Sequence, residues 1–188
     1  LLALIFALVV PTSGFAYELF VSNEKDNTVT VLDSETMTAK KVIPVGLRPR
    51  GIRITPDYRW VLVCVGDDDA IDVIDTETLE VARRIPTLAD PEYLDITPDG
   101  KRVFIANEDD AMVSVIEFES GETLAEIPVG IEPEGMAFSP DGSLAVATSE
   151  STSMAHVVDT ETYKIIANVL VDTRPRAALF EDDGKRFW

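Results

Sequence analysis

Eight charged residues recur along this chain as pairs around a proline. Arg48 and Arg50 flank Pro49, Asp90 and Glu92 flank Pro91, Glu132 and Glu134 flank Pro133, and Arg174 and Arg176 flank Pro175. Their charges sum to zero but are segregated, with two acidic pairs standing between two basic ones. Guanidinium groups suit a carboxylate ligand because their planar donors match its two oxygens. Arg48, Arg50, Arg174 and Arg176 are therefore candidate ligand-binding residues for a small organic acid or a carboxylate-rich cofactor. Clustered carboxylates suit a hard cation such as calcium, which makes Asp90, Glu92, Glu132 and Glu134 a candidate metal set. The same pattern also serves a plainer purpose, ion pairing between neighbouring copies.

The prolines belong to a repeat of 42 residues. Asp57, Asp99, Asp141 and Asp183 recur at the same step; Asp33, Asp75 and Asp159 mark a second turn, with Glu117 in the remaining slot. Each copy reads as four short strands, because runs of Val, Ile and Leu are bounded by turn residues. In the first copy these are Tyr17 to Ser22, Thr28 to Leu32, Ala39 to Val45 and Gly51 to Thr55; in the last they end with Ala177 to Phe180. No stretch shows a helical apolar rhythm. A repeat of this length built from short strands indicates β-propeller blades.

The sequence thus predicts an all-β fold with four 42-residue, four-stranded blades, in repeats of about 17–59, 60–101, 102–143 and 144–188. If Gly51 to Thr55 and its equivalents are the innermost strands, the eight charges rim one mouth of the central channel. An open arc would leave two apolar faces and an edge strand uncovered, so the chain reads as a fragment of a larger ring.

Composition narrows the function classes. The 188 residues, 46% of them hydrophobic, can bury a core, while a net charge of -18 disfavours nucleic acid and anionic membrane surfaces. The single cysteine, Cys64, excludes an intrachain disulfide and any Cys-x-x-Cys motif, and the single histidine, His156, excludes a His-rich zinc site. The apolar run Leu1 to Val10, followed by Pro11 and Gly14-Phe15-Ala16, reads as an N-terminally truncated signal peptide over 1–16. Export follows, with no membrane span in the mature chain. The acidic turn residues Glu24, Asp26, Asp67 to Asp69, Glu108 to Asp110 and Glu150 read as solvated hairpin tips. Cys64, Trp60 and His156 read as packing residues rather than as a nucleophile, a cofactor platform or a haem ligand.

Val21 to Asp33, Ile43-Pro44-Val45-Gly46 and Ser139-Pro140-Asp141-Gly142 resemble the repeat of the YVTN family of β-propellers, and within it the PQQ-dependent catabolism-associated β-propeller proteins. The resemblance covers everything after the signal segment. It implies a seven-bladed ring in the periplasm, connected to quinoprotein oxidation of alcohols and to an adjacent ABC-type transport system. With no Gly-x-Ser-x-Gly elbow and one histidine, the leading reading is a non-catalytic protein that binds a small anionic ligand or a partner such as a quinoprotein dehydrogenase or a transport component. Two alternatives stand beside it: a metal-dependent propeller enzyme of the lactonase kind, and a haem-binding propeller like that of cytochrome-type nitrite reductases. Departures from the repeat are Tyr58 for the turn glycine, Val65 for the Asn of Asn23 and Asn107, and Glu181-Asp182 for Ser-Pro.

Overall fold

Strand residues Val61 to Val65 are all buried, although successive side chains on a strand point to opposite faces. A sheet built from such strands is apolar on both sides and needs a neighbour against each. That requirement shapes the whole molecule. The computed structural model describes residues 17–188; the expected signal segment, 1–16, lies outside the described residues.

The fold is all-β, with four antiparallel sheets laid in sequence order. The first comprises β1 (Glu18–Asn23), β2 (Thr28–Asp33) and β3 (Ala39–Pro44). The second runs β4 (Pro49–Ile54), β5 (Trp60–Val65), β6 (Ala70–Asp75) and β7 (Glu80–Pro86). The third runs β8 (Pro91–Ile96), β9 (Arg102–Asn107), β10 (Met112–Glu117) and β11 (Thr123–Pro128). The fourth runs β12 (Pro133–Phe138), β13 (Leu144–Ser149), β14 (Met154–Asp159) and β15 (Lys164–Leu170). Helix among the described residues is one 3-10 turn, Gly66–Asp68.

The core is divided among the gaps between successive sheets. Val29, Val31 and Ile43 of the first sheet meet Val61, Val63 and Ile74 of the second. Leu62, Cys64 and Ile71 on the other face of the second sheet meet Leu94, Val103 and Ile105 of the third. Phe104 and Val115 of the third meet Met136, Ala145 and Val158 of the fourth, and Phe104 also meets the Phe138 ring edge-on. Val146 and Val157 of the fourth are covered by Ala178, Phe180 and Phe187. Strands β4, β8 and β12 lie side by side and form the inner edge of the stack. Cys64 and Trp60 are core residues, as expected, and burial pushes the Cys64 thiol far up.

Two expectations change. The sheets are offset by one strand from the copies: the last strand of each copy opens the following sheet. A repeat carries no information about where its unit begins. The sheet boundary is decided by which connection closes a ladder: the Pro-Asp turn folds β5 back onto β4 through the Thr55 N–H to Trp60 carbonyl bond, whereas the link before β4 carries the chain across to the next sheet. The second change concerns Ala177 to Phe180, which among the described residues joins no ladder of named strands and is held by the bridge between Phe180 and Phe187 and the paired backbone bonds of Leu179 with Trp188.

The recurring aspartates earn their places as turn locks. Asp57, Asp99 and Asp141 each accept the hydroxyl of the Thr or Ser two residues earlier and the backbone N–H two residues later. The hydroxyl bond is the main reason Asp141 is held down to about 2. Each turn needs one residue in the left-handed region: Gly100, Gly142 and Gly184 supply it, and Tyr58 adopts it at φ 61°. A side chain with a Cβ is strained there. Replacing this exposed tyrosine, Tyr58→Gly, should raise the unfolding free energy by about 1 kcal/mol; a lower denaturant midpoint would show that the Tyr58 ring stabilises the turn instead.

Candidate functional site

The inner strands open with proline, whose missing N–H suits a position where no ladder bond is made. The residue before each proline takes a left-handed conformation: Arg48, Asp90, Glu132 and Arg174 have φ between 52° and 60°. Two of these are held by short side chains one sheet back, since Asn27 accepts the Arg48 N–H at 2.9 Å and Asp69 that of Asp90 at 3.0 Å. Their carbonyls accept the N–H of the first residue of the next hairpin turn: Gly66 bonds Arg48, Glu108 bonds Asp90, and Glu150 bonds Glu132. Side chains from the proline loops and the hairpin turns therefore share one mouth. Close approach of the inner strands completes the arrangement. A Cβ on Gly51 would stand 2.7 Å from Tyr93 Cα, and one on Gly135 would stand 2.9 Å from Ala177 Cα.

The structure brings all eight flanking charges to one mouth, and seven of them form ion pairs. Arg48 reaches Asp67 (Nε to Oδ1, 2.8 Å), Glu92 (Nη1 to Oε1, 2.8 Å) and Asp90. Arg50 reaches Glu92 Oε2 at 2.5 Å and Glu24 Oε2 at 3.4 Å, with Glu134 Oε2 at 4.0 Å. Arg176 reaches Glu134 Oε1 at 3.3 Å and Glu150 Oε2 at 2.5 Å, Arg174 also meets Glu150, and Glu132 accepts the Ser151 hydroxyl. Glu92 is 3% exposed, and burying a carboxylate that deeply is costly unless it is paired in this way. Beside this ring lies a cavity of about 430 Å³ lined by Arg50, Glu92, Tyr93, Glu134 and Arg176 among others.

Sequence reasoning missed Glu24, Glu108 and Glu150, which it assigned to solvated tips. They open their turns, so they point back along the mouth while the following Asp26, Asp109 and Asp110 face solvent. The available signal was the 42-residue step itself, which aligns Glu24, Gly66, Glu108 and Glu150. Gly66 is the informative member. A Cβ there would stand 2.5 Å from an Arg48 nitrogen, so the missing side chain makes room for the guanidinium. Arg53, Tyr93 and Asp95 were also missed. Arg53 stacks over the Tyr93 ring at 4.7 Å and contacts Asp95 Oδ1 at 3.3 Å, while burial pushes Asp95 up against the pull of Arg53.

Among the described residues, the carboxylates close enough for one metal ion are Asp90, Glu92 and Glu108, with ligand atoms within 4.8 Å of one another. Glu132 and Glu134 are outside that group, and Glu108 replaces them. The donor set suits a hard cation in kind, but the Arg48 guanidinium already neutralises Asp90 and Glu92. His156 lies in β14, away from the mouth. Its Nε2 accepts the Gly130 N–H and its Nδ1 bonds Asn168 Oδ1, so both ring nitrogens are engaged. The matching place in the second sheet is filled by Asp72 clamped by Arg84, which supplies the anchor that Val65 cannot.

A family model described as YNCE-like beta-propeller matches residues 3–112. Among solved structures, Kuenenia stuttgartiensis hydrazine synthase superposes with a TM-score of 0.83 at 24% identity, covering 89% of this chain and 50% of that one. The chain therefore spans half the length of that structure, and the likeness concerns the fold. No curated protein matches the sequence.

Glu108 is pushed up to about 7, first by desolvation and then by Glu92, Glu134 and Glu132. Glu134 is pushed up to about 7 by desolvation, then by Glu150 and Glu92, against the opposing pull of Arg176. A carboxyl whose folded value is raised binds more protons in the folded state than in the unfolded one. Stability should accordingly rise as pH falls from about 8 to about 5 and be lost as pH rises through 7. Thermal melts across that range check it, and Glu108→Gln should raise the melting temperature at pH 8 and flatten the profile.

Proposed function

The chain belongs to the YNCE-like β-propeller family, and from that premise we propose that it is a non-catalytic binding propeller whose ligand or protein partner is held at the inner-strand mouth. One observation carries the proposal: the inner strands converge Arg50, Glu92, Glu134 and Arg176 around a cavity of about 430 Å³. Clefts of that size with a few convergent polar groups are where small ligands bind. The arginines enter it unequally. Arg48 and Arg50 are held between carboxylates, whereas Arg174 and Arg176 keep 70% and 51% of their side chains exposed. The exposed pair is the anion-facing side of the mouth. Glu134 stands between Arg176, at 3.3 Å, and Arg50, at 4.0 Å.

Export to the periplasm and a link to quinoprotein oxidation of alcohols belong to the same proposal, with a quinoprotein dehydrogenase or transport component as protein partner. Their support is the leader-like run before Tyr17 and the resemblance of the repeats. A non-catalytic role is supported by the commitment of the rim's ionisable groups to one another. Calorimetric titration of the protein with small mono- and dicarboxylates tests the ligand reading. Arg176→Ala should weaken binding about tenfold or more, as loss of a charge-assisted contact does. Affinity unchanged in Arg174→Ala, Arg176→Ala and Arg50→Ala would leave the ion pairs a purely structural role.

The second reading is a divalent-cation enzyme of the lactonase kind, favoured by the grouping of Asp90, Glu92 and Glu108. Those three residues would hold the ion, and a cation there would polarise a substrate carbonyl. Arg48 competes for the same oxygens. On this reading Arg48→Gln should tighten calcium binding markedly and confer calcium-dependent lactone turnover; calcium affinity equal in both forms, without turnover, would exclude it.

A further inference from the structure

The Pro-Asp turns stand at the far end of the inner strands from the mouth. Between the second and third sheets they border a separate cavity of about 230 Å³, lined by Asp57, Trp60, Asp99, Phe118 and Glu119 among others. Both of these sheets have all four strands, so complete units enclose it. Asp57 and Asp99 each commit Oδ1 to their own turn, to the Thr hydroxyl and the backbone N–H two residues on. Their Oδ2 atoms accept no hydrogen bond among the described residues. Glu119 is exposed. The ion pairs nearest these three carboxylates in sequence, Arg53 with Asp95 and Arg59 with Asp75, leave all of them out.

The neighbouring junction shows what such a place holds. One repeat on, Asp57, Asp99 and Glu119 become Asp99, Asp141 and Glu161, and Trp60 becomes Arg102. Arg102 lies over the Tyr163 ring at 5.8 Å and donates through Nη1 to the Thr160 carbonyl. The chain supplies its own guanidinium there. Between the second and third sheets the matching carbonyl, that of Phe118, is taken by Arg83 of β7. Trp60 offers the carboxylates no charge in place of Arg102. Arg59 lies over the Trp60 ring at 4.7 Å, but its donors are spent on both oxygens of Asp75.

We propose that this cavity is a binding site for a guanidinium group on a short stem, carried either by a small molecule or by an arginine side chain of a partner. At about 230 Å³ the space falls below the roughly 300–1,000 Å³ that holds a drug-sized ligand, so it suits a head group. Carboxylates without a partner attract a cation. An aromatic wall favours one that is planar and weakly hydrated, as guanidinium is, over a compact ammonium. Asp57, Asp99 and Glu119 then accept its N–H donors as charge-assisted bonds. The site stands apart from the mouth, since the two cavities share no lining residue.

The test titrates ethylguanidinium into the whole chain and follows the Trp60 indole N–H by NMR. A saturable shift is expected, with a rise in melting temperature, because a ligand of the folded state stabilises it. Ethylurea, similar in shape but neutral, should do neither, and ethylammonium should bind more weakly. Glu119→Gln alters an exposed side chain and should weaken ethylguanidinium by about three- to tenfold. It should leave the melting temperature of the free protein and carboxylate binding at the mouth unchanged. Trp60→Arg, which copies Arg102, should fill the cavity and abolish binding; if that variant does not fold, Glu119→Gln decides. A blocked Gly-Arg-Gly peptide that binds at least as tightly as ethylguanidinium identifies a partner's arginine as the occupant, and a weaker one identifies a small molecule. No saturable shift, equal binding of ethylurea, or affinity unchanged in Glu119→Gln would each overturn the proposal.

Discussion

Sheets that are apolar on both faces cannot stand alone in water, and everything else in this molecule follows from that. Each of the four core clusters lies in a gap between successive sheets or between the last sheet and the segment that covers it. Burial of this kind is non-directional and proportional to area, so it stacks the sheets without specifying what their inner edges carry. The edges are specified by smaller features. Gly51 and Gly135 let the inner strands approach closely, and the prolines end the ladder where the chain must turn into the mouth.

Close approach brings ionisable side chains within reach of one another in a partly desolvated space, where an unpaired charge is costly. The residue that opens each hairpin turn faces the proline-flanking pair of the next sheet. Glu24 meets Arg50, and Glu150 meets Arg174 and Arg176, so those two junctions are complementary. Gly66 contributes no charge and yields its space to Arg48. Glu108 meets Glu132 and Glu134, and that junction is left with excess negative charge. The mouth is therefore polarised around the ring rather than uniformly charged. Opposite charges on adjoining copies hold the arc together where Glu24 meets Arg50, where Arg48 and Arg50 meet Asp90 and Glu92, and where Glu150 meets Arg174 and Arg176.

Polarity elsewhere in the sheets follows a related economy. The strand before the outermost one of each sheet carries a polar side chain at one fixed place: Thr30, Asp72, Ser114 or His156. Asp72 and His156 accept the N–H of Gly46 and Gly130 in the incoming loop, and each is fixed by its cross-strand partner, Arg84 or Asn168. Ser114 is instead bound by Asn107, and Thr30 by Asn23. The same place is thus filled by four different side chains, two of which anchor the incoming loop, and both ring nitrogens of His156 are engaged in that loop contact and in the bond to Asn168.

The chain's own order of residues determined the strands, the turns and the period. Strand formation needs only local alternation and turn chemistry, and a 42-residue step repeats both; even Tyr58 takes the conformation of the glycine it replaces. The same step carried the eight flanking charges to one mouth. Tertiary structure alone decided which strands share a sheet, because a repeat has no starting point and its connections within and between sheets are of similar length. It also decided that Glu24, Glu108 and Glu150 face inward while the aspartates beside them do not. Whether a polar turn residue meets water or a neighbouring guanidinium depends on the position of another sheet, and no local pattern contains that distance.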